Sequence, residues 1–260
     1  MNPVRQAATA LAASAALVLI PAAAEAKPPT AYAALGDSYS SGTGAGRYFD
    51  DECLRSDLAY PRLLADRLGA DLAFAACSGA TTADLLAEQL GALDSATDLV
   101  TVTVGGNDIG WAEALTACIT PLADCTDEIE ASEGLIRNEL PGLLDDTYSA
   151  IADRAPNAEV LVIGYPRLFN EQRTCGALDQ PTVEEQIRMN QGADLLAGVL
   201  SDAAARHDFT YVDVRGYFAG HAVCDFEPYL HALRLPTVES YHPNALGHAN
   251  GYLPAVADAV

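Results

Sequence analysis

Lysine is almost missing from this sequence. Lys27 is the only one, and 14 Lys+Arg stand against 36 Asp+Glu, a formal net charge of −22. So acidic a chain repels polyanions, which excludes a nucleic-acid partner, since that work needs clustered Lys and Arg to neutralise phosphates. Electrostatic docking to anionic lipid is disfavoured for the same reason. Metal and nucleotide signatures are missing too. No Cys-x-x-Cys or His-Glu-x-x-His spacing occurs and no histidine stands beside a cysteine pair, so neither a metal nor another cofactor is expected. Gly42-Thr43-Gly44-Ala45-Gly46 is glycine-rich but has neither the dinucleotide spacing nor a P-loop lysine.

Long apolar runs are confined to the beginning. Residues 1–26 read as a secretory signal peptide, with Arg5 in a short polar start, an apolar run from Ala7 to Ile20, and Ala24-Glu25-Ala26 as a small-x-small cleavage site. No later stretch approaches the ~20 apolar residues of a spanning helix, so export and release are expected, without a stable membrane anchor. Arg5 and Glu25 cancel, so the mature chain from about Lys27 keeps the same net charge. Residues 27–260 suit one domain, expected to act as a monomer.

All six cysteines, Cys53, Cys77, Cys118, Cys125, Cys175 and Cys224, follow the leader. An even count in an exported chain implies disulfides. Of the 15 possible pairings, the grouping along the chain favours Cys53–Cys77, Cys118–Cys125 and Cys175–Cys224.

Short apolar segments alternate with helical patterns. Ala31–Leu35, Leu72–Ala76, Leu99–Val104, Glu159–Ile163 and Phe209–Val214 read as strands. Ala83–Leu93, Ser132–Arg154, Thr182–Arg206 and Ala245–Val260 carry the i, i+3, i+4 apolar spacing of amphipathic helices. The alternation predicts an α/β fold, a three-layer αβα sandwich around a parallel sheet of about five strands.

In such a sheet, ligands gather beyond the carboxyl ends of the strands where strand order reverses. The first three strands run into polar, glycine-bearing turns: Gly36-Asp37-Ser38-Tyr39-Ser40, Cys77-Ser78-Gly79-Ala80 and Gly105-Gly106-Asn107-Asp108. A serine hydrolase needs a hydroxyl beside a general base, and donors aimed at the oxyanion that forms when the hydroxyl attacks a carbonyl. Ser38 is placed to supply the hydroxyl and its own N–H. Gly79 N–H can come close because it has no Cβ, and the Asn107 side-chain amide is a neutral donor. Among five histidines, His242 stands in a turn just before the last helix, where an imidazole can hang over the sheet edge. His207 ends a helix, and His248 lies within the last one. Asp37, Asp108 and Trp111 read as structural or rim residues.

The blocks GDSYS, CSGATT, GGND and YHPN, in this order, resemble the four blocks of the SGNH (GDSL) hydrolases, most of all the secreted actinobacterial lipases and esterases. The resemblance covers nearly the whole mature chain, including six cysteines in three local pairs. It implies a flavodoxin-like fold and hydrolysis of carboxylic esters of lipids or short acyl groups. It also implies Ser38 as nucleophile, His242 as base, and Ser38 N–H, Gly79 N–H and Asn107 as the oxyanion hole. Carbohydrate acetyl esterase and phospholipase are alternatives on the same scaffold, and a non-catalytic binding protein would require a lost block. The Gly-x-Ser-x-Gly elbow of the α/β-hydrolases is absent.

One position departs from the common family pattern: three before His242, where Asp is frequent, stands Glu239. A glutamate on a turn is free to point to solvent. The imidazole is therefore expected to be oriented by a main-chain carbonyl, at Glu239 or Ser240, with the Glu239 carboxylate as the other candidate third member.

Overall fold

The computed structural model describes residues 30–120, 124–172 and 181–260. The proposed leader and Cys175 lie outside them. The chain begins with β1 (Ala31–Gly36), α1 (Ser38–Ser41) and the short antiparallel pair β2 (Tyr48–Asp50) and β3 (Arg55–Ser56). It continues with α2 (Tyr60–Leu68), β4 (Asp71–Phe74), α3 (Thr82–Asp84), β5 (Leu99–Thr103) and the helices α4 (Trp111–Ile119), α5 (Thr126–Asn138) and α6 (Leu140–Arg154). Then come β6 (Glu159–Ile163), α7 (Val183–Arg206), β7 (Thr210–Val212) and, past a long irregular segment, α8 (Leu253–Ala257).

Five parallel strands form one sheet in the order β4-β1-β5-β6-β7. Counted along the chain this is 2-1-3-4-5, the flavodoxin-like order, with its reversal at β1. Both faces are covered, as parallel sheets require. Along β1, Tyr32 and Ala34 join Leu161 and Ile163 of β6 in one core with Tyr60 and Leu64 of α2 and Val256 of α8. Ala33 and Leu35 face the other way, with Val100 and Val102 of β5, under Leu144 and Tyr148 of α6 and Leu200 of α7. The period of two within continuous apolar runs thus makes three layers.

Several boundaries differ from the sequence reading. The single helix expected over 132–154 is two, α5 and α6, meeting at Glu139. Pro141 has no N–H to donate to residue 137, so the helical ladder cannot pass through it. The expected helix from Ala83 is only briefly α-helical before a π turn at Leu85–Gln89, and the last helix is a π segment, Gly247–Tyr252, running into α8. By contrast α7 begins within one residue of expectation. Thr182 accepts from Glu185 N–H while the Glu185 carboxylate accepts from Thr182 N–H, a reciprocal cap.

Two disulfides join Cys53 to Cys77 and Cys118 to Cys125. Cys224 is disulfide-bonded. Among the described residues no helix is long and apolar enough to cross a membrane.

Candidate active site

Strand β1 ends where only glycine fits. Gly36 has φ +121°, and an added Cβ would overlap the Thr103 carbonyl at the end of β5. The next N–H, Asp37, donates to that same carbonyl at 2.8 Å. The chain therefore turns sharply into α1, whose first residue is Ser38, and the N–H of a first helical residue has no intrahelical acceptor. Asp37 caps the helix, its carboxylate accepting from Tyr39 N–H at 2.9 Å.

Ser38 Oγ lies 2.8 Å from His242 Nε2, although 204 residues separate the two in sequence. His242 Nδ1 lies 3.0 Å from the Ser240 carbonyl. A carbonyl can only accept, so Nδ1 carries the proton and Nε2 is left to accept from the serine hydroxyl. Withdrawal from water is the main influence on the imidazole and lowers its pKa to about 4; the Ser240 carbonyl and Glu239 oppose this, and nearby His231 adds to it.

Gly79 and Asn107 line the same pocket as Ser38 and His242. Asn107 is held by one amide hydrogen, donated to Ala80 O at 2.9 Å, which leaves the other for the pocket. At Gly79 a Cβ would meet no protein atom within 4 Å, and φ is +83°, so the backbone conformation itself favours glycine there. Gly44, in the glycine-rich stretch that lacks nucleotide-binding spacing, has a packing role: at φ +91° an added Cβ would press on Pro243 O and His242 Cβ.

Glu239, expected to be free to point to solvent, is only 9% exposed and does not. Its carboxylate accepts from Tyr48 Oη at 2.7 Å and pairs with Arg234 Nε at 3.4 Å, so it is engaged away from His242 Nδ1. Two further tyrosines brace the site. Tyr39 Oη donates to Tyr241 O at 2.8 Å. Tyr165 Oη donates to Asp37 at 2.5 Å and accepts from Gly106 N–H at 3.1 Å, bridging the turns after β1 and β5. Burial raises the Asp37 pKa to about 7, against the opposing bonds from Tyr165 and Tyr39. Tyr165 stands just past the end of β6, so the rule that singled out the first three turns reaches it as well.

The sequence matches the GDSL-like Lipase/Acylhydrolase family over residues 34–249. It is 45% identical to Lipase 1 of Streptomyces coelicolor over 256 residues, 96% of this chain and 94% of that one. The chain belongs to this family. Its fold superposes on the extracellular lipase of Streptomyces rimosus with a TM-score of 0.85 at 43% identity, covering 89% of this chain and 100% of that one. Against phospholipase A1 of Streptomyces albidoflavus the TM-score is 0.84 at 41% identity, with 90% and 100% covered. The protein is a carboxylic ester hydrolase of the lipase type.

In this hydrolase the pocket beside Ser38 measures about 550 Å³, within the range of sites that enclose small ligands. Trp111, Leu115 and Ile119 of α4 form one wall, and Ala193 and Leu196 of α7 another. Trp111 seats its ring on Gly192, where a Cβ would come within 3.0 Å of the indole. Trp111, expected to be a structural or rim residue, is thus part of the pocket wall.

Proposed function

We propose that Ser38 and His242 cleave acyl esters through an acyl-enzyme. The hydroxyl oxygen of Ser38 bonds to the ester carbonyl carbon as its proton passes to His242 Nε2. Ser38 N–H, Gly79 N–H and the free amide hydrogen of Asn107 receive the oxyanion. Collapse breaks the carbon–oxygen bond to the leaving alcohol, which takes the proton from His242. Water then repeats the sequence, releasing the acid and restoring Ser38. No step calls on a metal or cofactor.

The observation that carries this reading is the 2.8 Å approach of Ser38 Oγ to His242 Nε2 at the mouth of an apolar pocket. Turnover of p-nitrophenyl esters tests it. Ser38→Ala and His242→Ala should abolish hydrolysis with the fold intact, and Asn107→Ala should lower kcat by roughly 10²–10³-fold. Near-normal activity in Ser38→Ala overturns the reading.

Similarity to a phospholipase A1 favours a second substrate reading, the carboxyl ester of a phospholipid. Parallel assays on a triacylglycerol and on phosphatidylcholine separate the two. We also propose that residues 1–26 are removed on export and that 27–260 act outside the cell as a single monomeric unit. The leader pattern, the disulfides and similarity to an extracellular lipase support the export. N-terminal sequencing and size-exclusion chromatography of the exported protein test it.

A further inference from the structure

Residues 232–238, Ala-Leu-Arg-Leu-Pro-Thr-Val, are all exposed. Leu233 is 43%, Leu235 83% and Val238 47% accessible to solvent. Leu233 and Val238 also line the pocket that holds Ser38 and His242, so an apolar path runs from the tip of this segment to the nucleophile. In a chain with 36 Asp+Glu, none falls between Tyr229 and Val238. The one full charge on the segment, Arg234, turns back to Glu239 at 3.4 Å.

The segment is braced against the base. His231 N–H donates to His242 O at 2.9 Å, Tyr241 N–H to His231 O at 3.0 Å, and Arg234 N–H to Ser240 Oγ at 3.0 Å. It therefore presents its leucines already ordered, which spares the cost of fixing them on contact. Large apolar side chains gathered on one exposed segment beside a binding cleft fit an interaction surface.

We propose that Leu233, Leu235 and Val238 form a docking edge that seats the enzyme on uncharged or zwitterionic acyl-lipid surfaces, in register for an acyl chain to enter the pocket. This rests on the ester-hydrolase reading. A lipid assembly is the occupant because the edge opens directly onto Ser38: a protein bound there would cover the site, whereas a lipid surface delivers substrate to it. The net charge of −22 turns the edge away from anionic headgroups.

The test is co-sedimentation of full-length mature Ser38→Ala protein, which leaves lipid intact, with phosphatidylcholine vesicles. Adding Leu235→Glu should reduce the partition coefficient by about 10-fold or more, the order expected when one leucine is withdrawn from apolar contact. Leu235 does not line the pocket, so the Leu235→Glu enzyme with Ser38 intact should hydrolyse soluble p-nitrophenyl acetate within about twofold of wild type. Leu235→Ser should show a smaller vesicle defect and the same soluble activity, which guards against misfolding of the charged variant. Equal partitioning of the variants, or no binding even with Leu235 present, overturns the proposal. So does a wild-type dimer that Leu235→Glu dissociates, which would make the edge an interface between copies. Failure of the ester-hydrolase reading would show separately, as no turnover of any ester by the wild type.

Discussion

Tyr39 holds Tyr241. The hydroxyl of the residue after Ser38 donates at 2.8 Å to the main-chain carbonyl of the residue preceding His242, and the Tyr39 ring lies 5.2 Å from the imidazole. Tyr241 has φ +61°, a conformation that side-chain-bearing residues seldom adopt without support. The bond therefore fixes the turn that carries His242 to the helix that carries Ser38. Tyr39→Phe removes one partly buried hydrogen bond, worth about 1 kcal/mol. We expect kcat to fall roughly 3–10-fold with KM little changed, measured on a soluble p-nitrophenyl ester. An unaltered kcat in the folded variant would show that the turn holds its shape without Tyr39.

Glu239→Gln separates a charge from a shape. The glutamine can still accept from Tyr48, and the Ser240 carbonyl that faces Nδ1 is untouched. Most of kcat should survive. A loss approaching ~10⁴-fold, as when a true triad carboxylate is neutralised, would make Glu239 the third catalytic member.

With His242 as the proposed base, its depressed pKa should set the acid limit of activity. The imidazole works as a base only when neutral, so activity is present above its pKa and lost as pH falls through it. With that pKa lowered to about 4, kcat/KM should hold through pH 6 and decline only near 4. Glu239 raises the His242 pKa, so Glu239→Gln should move the limb further into acid or leave it in place. A limb near 6.5 in the wild type would mean that the site is wetter than its geometry indicates.

The Cys53–Cys77 disulfide stands next to the turn proposed to supply an oxyanion donor, since Cys77 precedes Ser78-Gly79 and Ser78 N–H donates to Cys53 O at 3.0 Å. Its sequence separation of 24 gives, by loop entropy, about 3.5 kcal/mol against about 2.5 for the separation of 7 at Cys118–Cys125. Replacing Cys53 and Cys77 together by serine should cost more stability and more kcat than replacing Cys118 and Cys125. Denaturant unfolding and turnover check both, and the opposite order would mean that local packing outweighs loop entropy.

What could be read in the sequence was whatever is local and repetitive. The five sheet strands are legible because a parallel sheet buried on both faces needs continuous apolar runs, and Glu159–Ile163 matches to the residue. The β2–β3 pair is too short, at three and two residues, to carry a period. At the site, the turns holding Ser38, Gly79 and Asn107 follow from strand ends. The surroundings of Glu239 do not, because Tyr48, which holds it, is 191 residues away. Tyr165 bonds to Asp37 across 128 residues, a link that only the assembled sheet reveals.

The proposed role of Ser38 as a nucleophile made reactive by His242 is tested most directly by peptide mapping by mass spectrometry after inactivation with a phosphonate ester that traps reactive serines. One adduct is expected, on Ser38, forming in step with loss of activity and absent from His242→Ala. An adduct on another residue, or full activity with Ser38 modified, would contradict it.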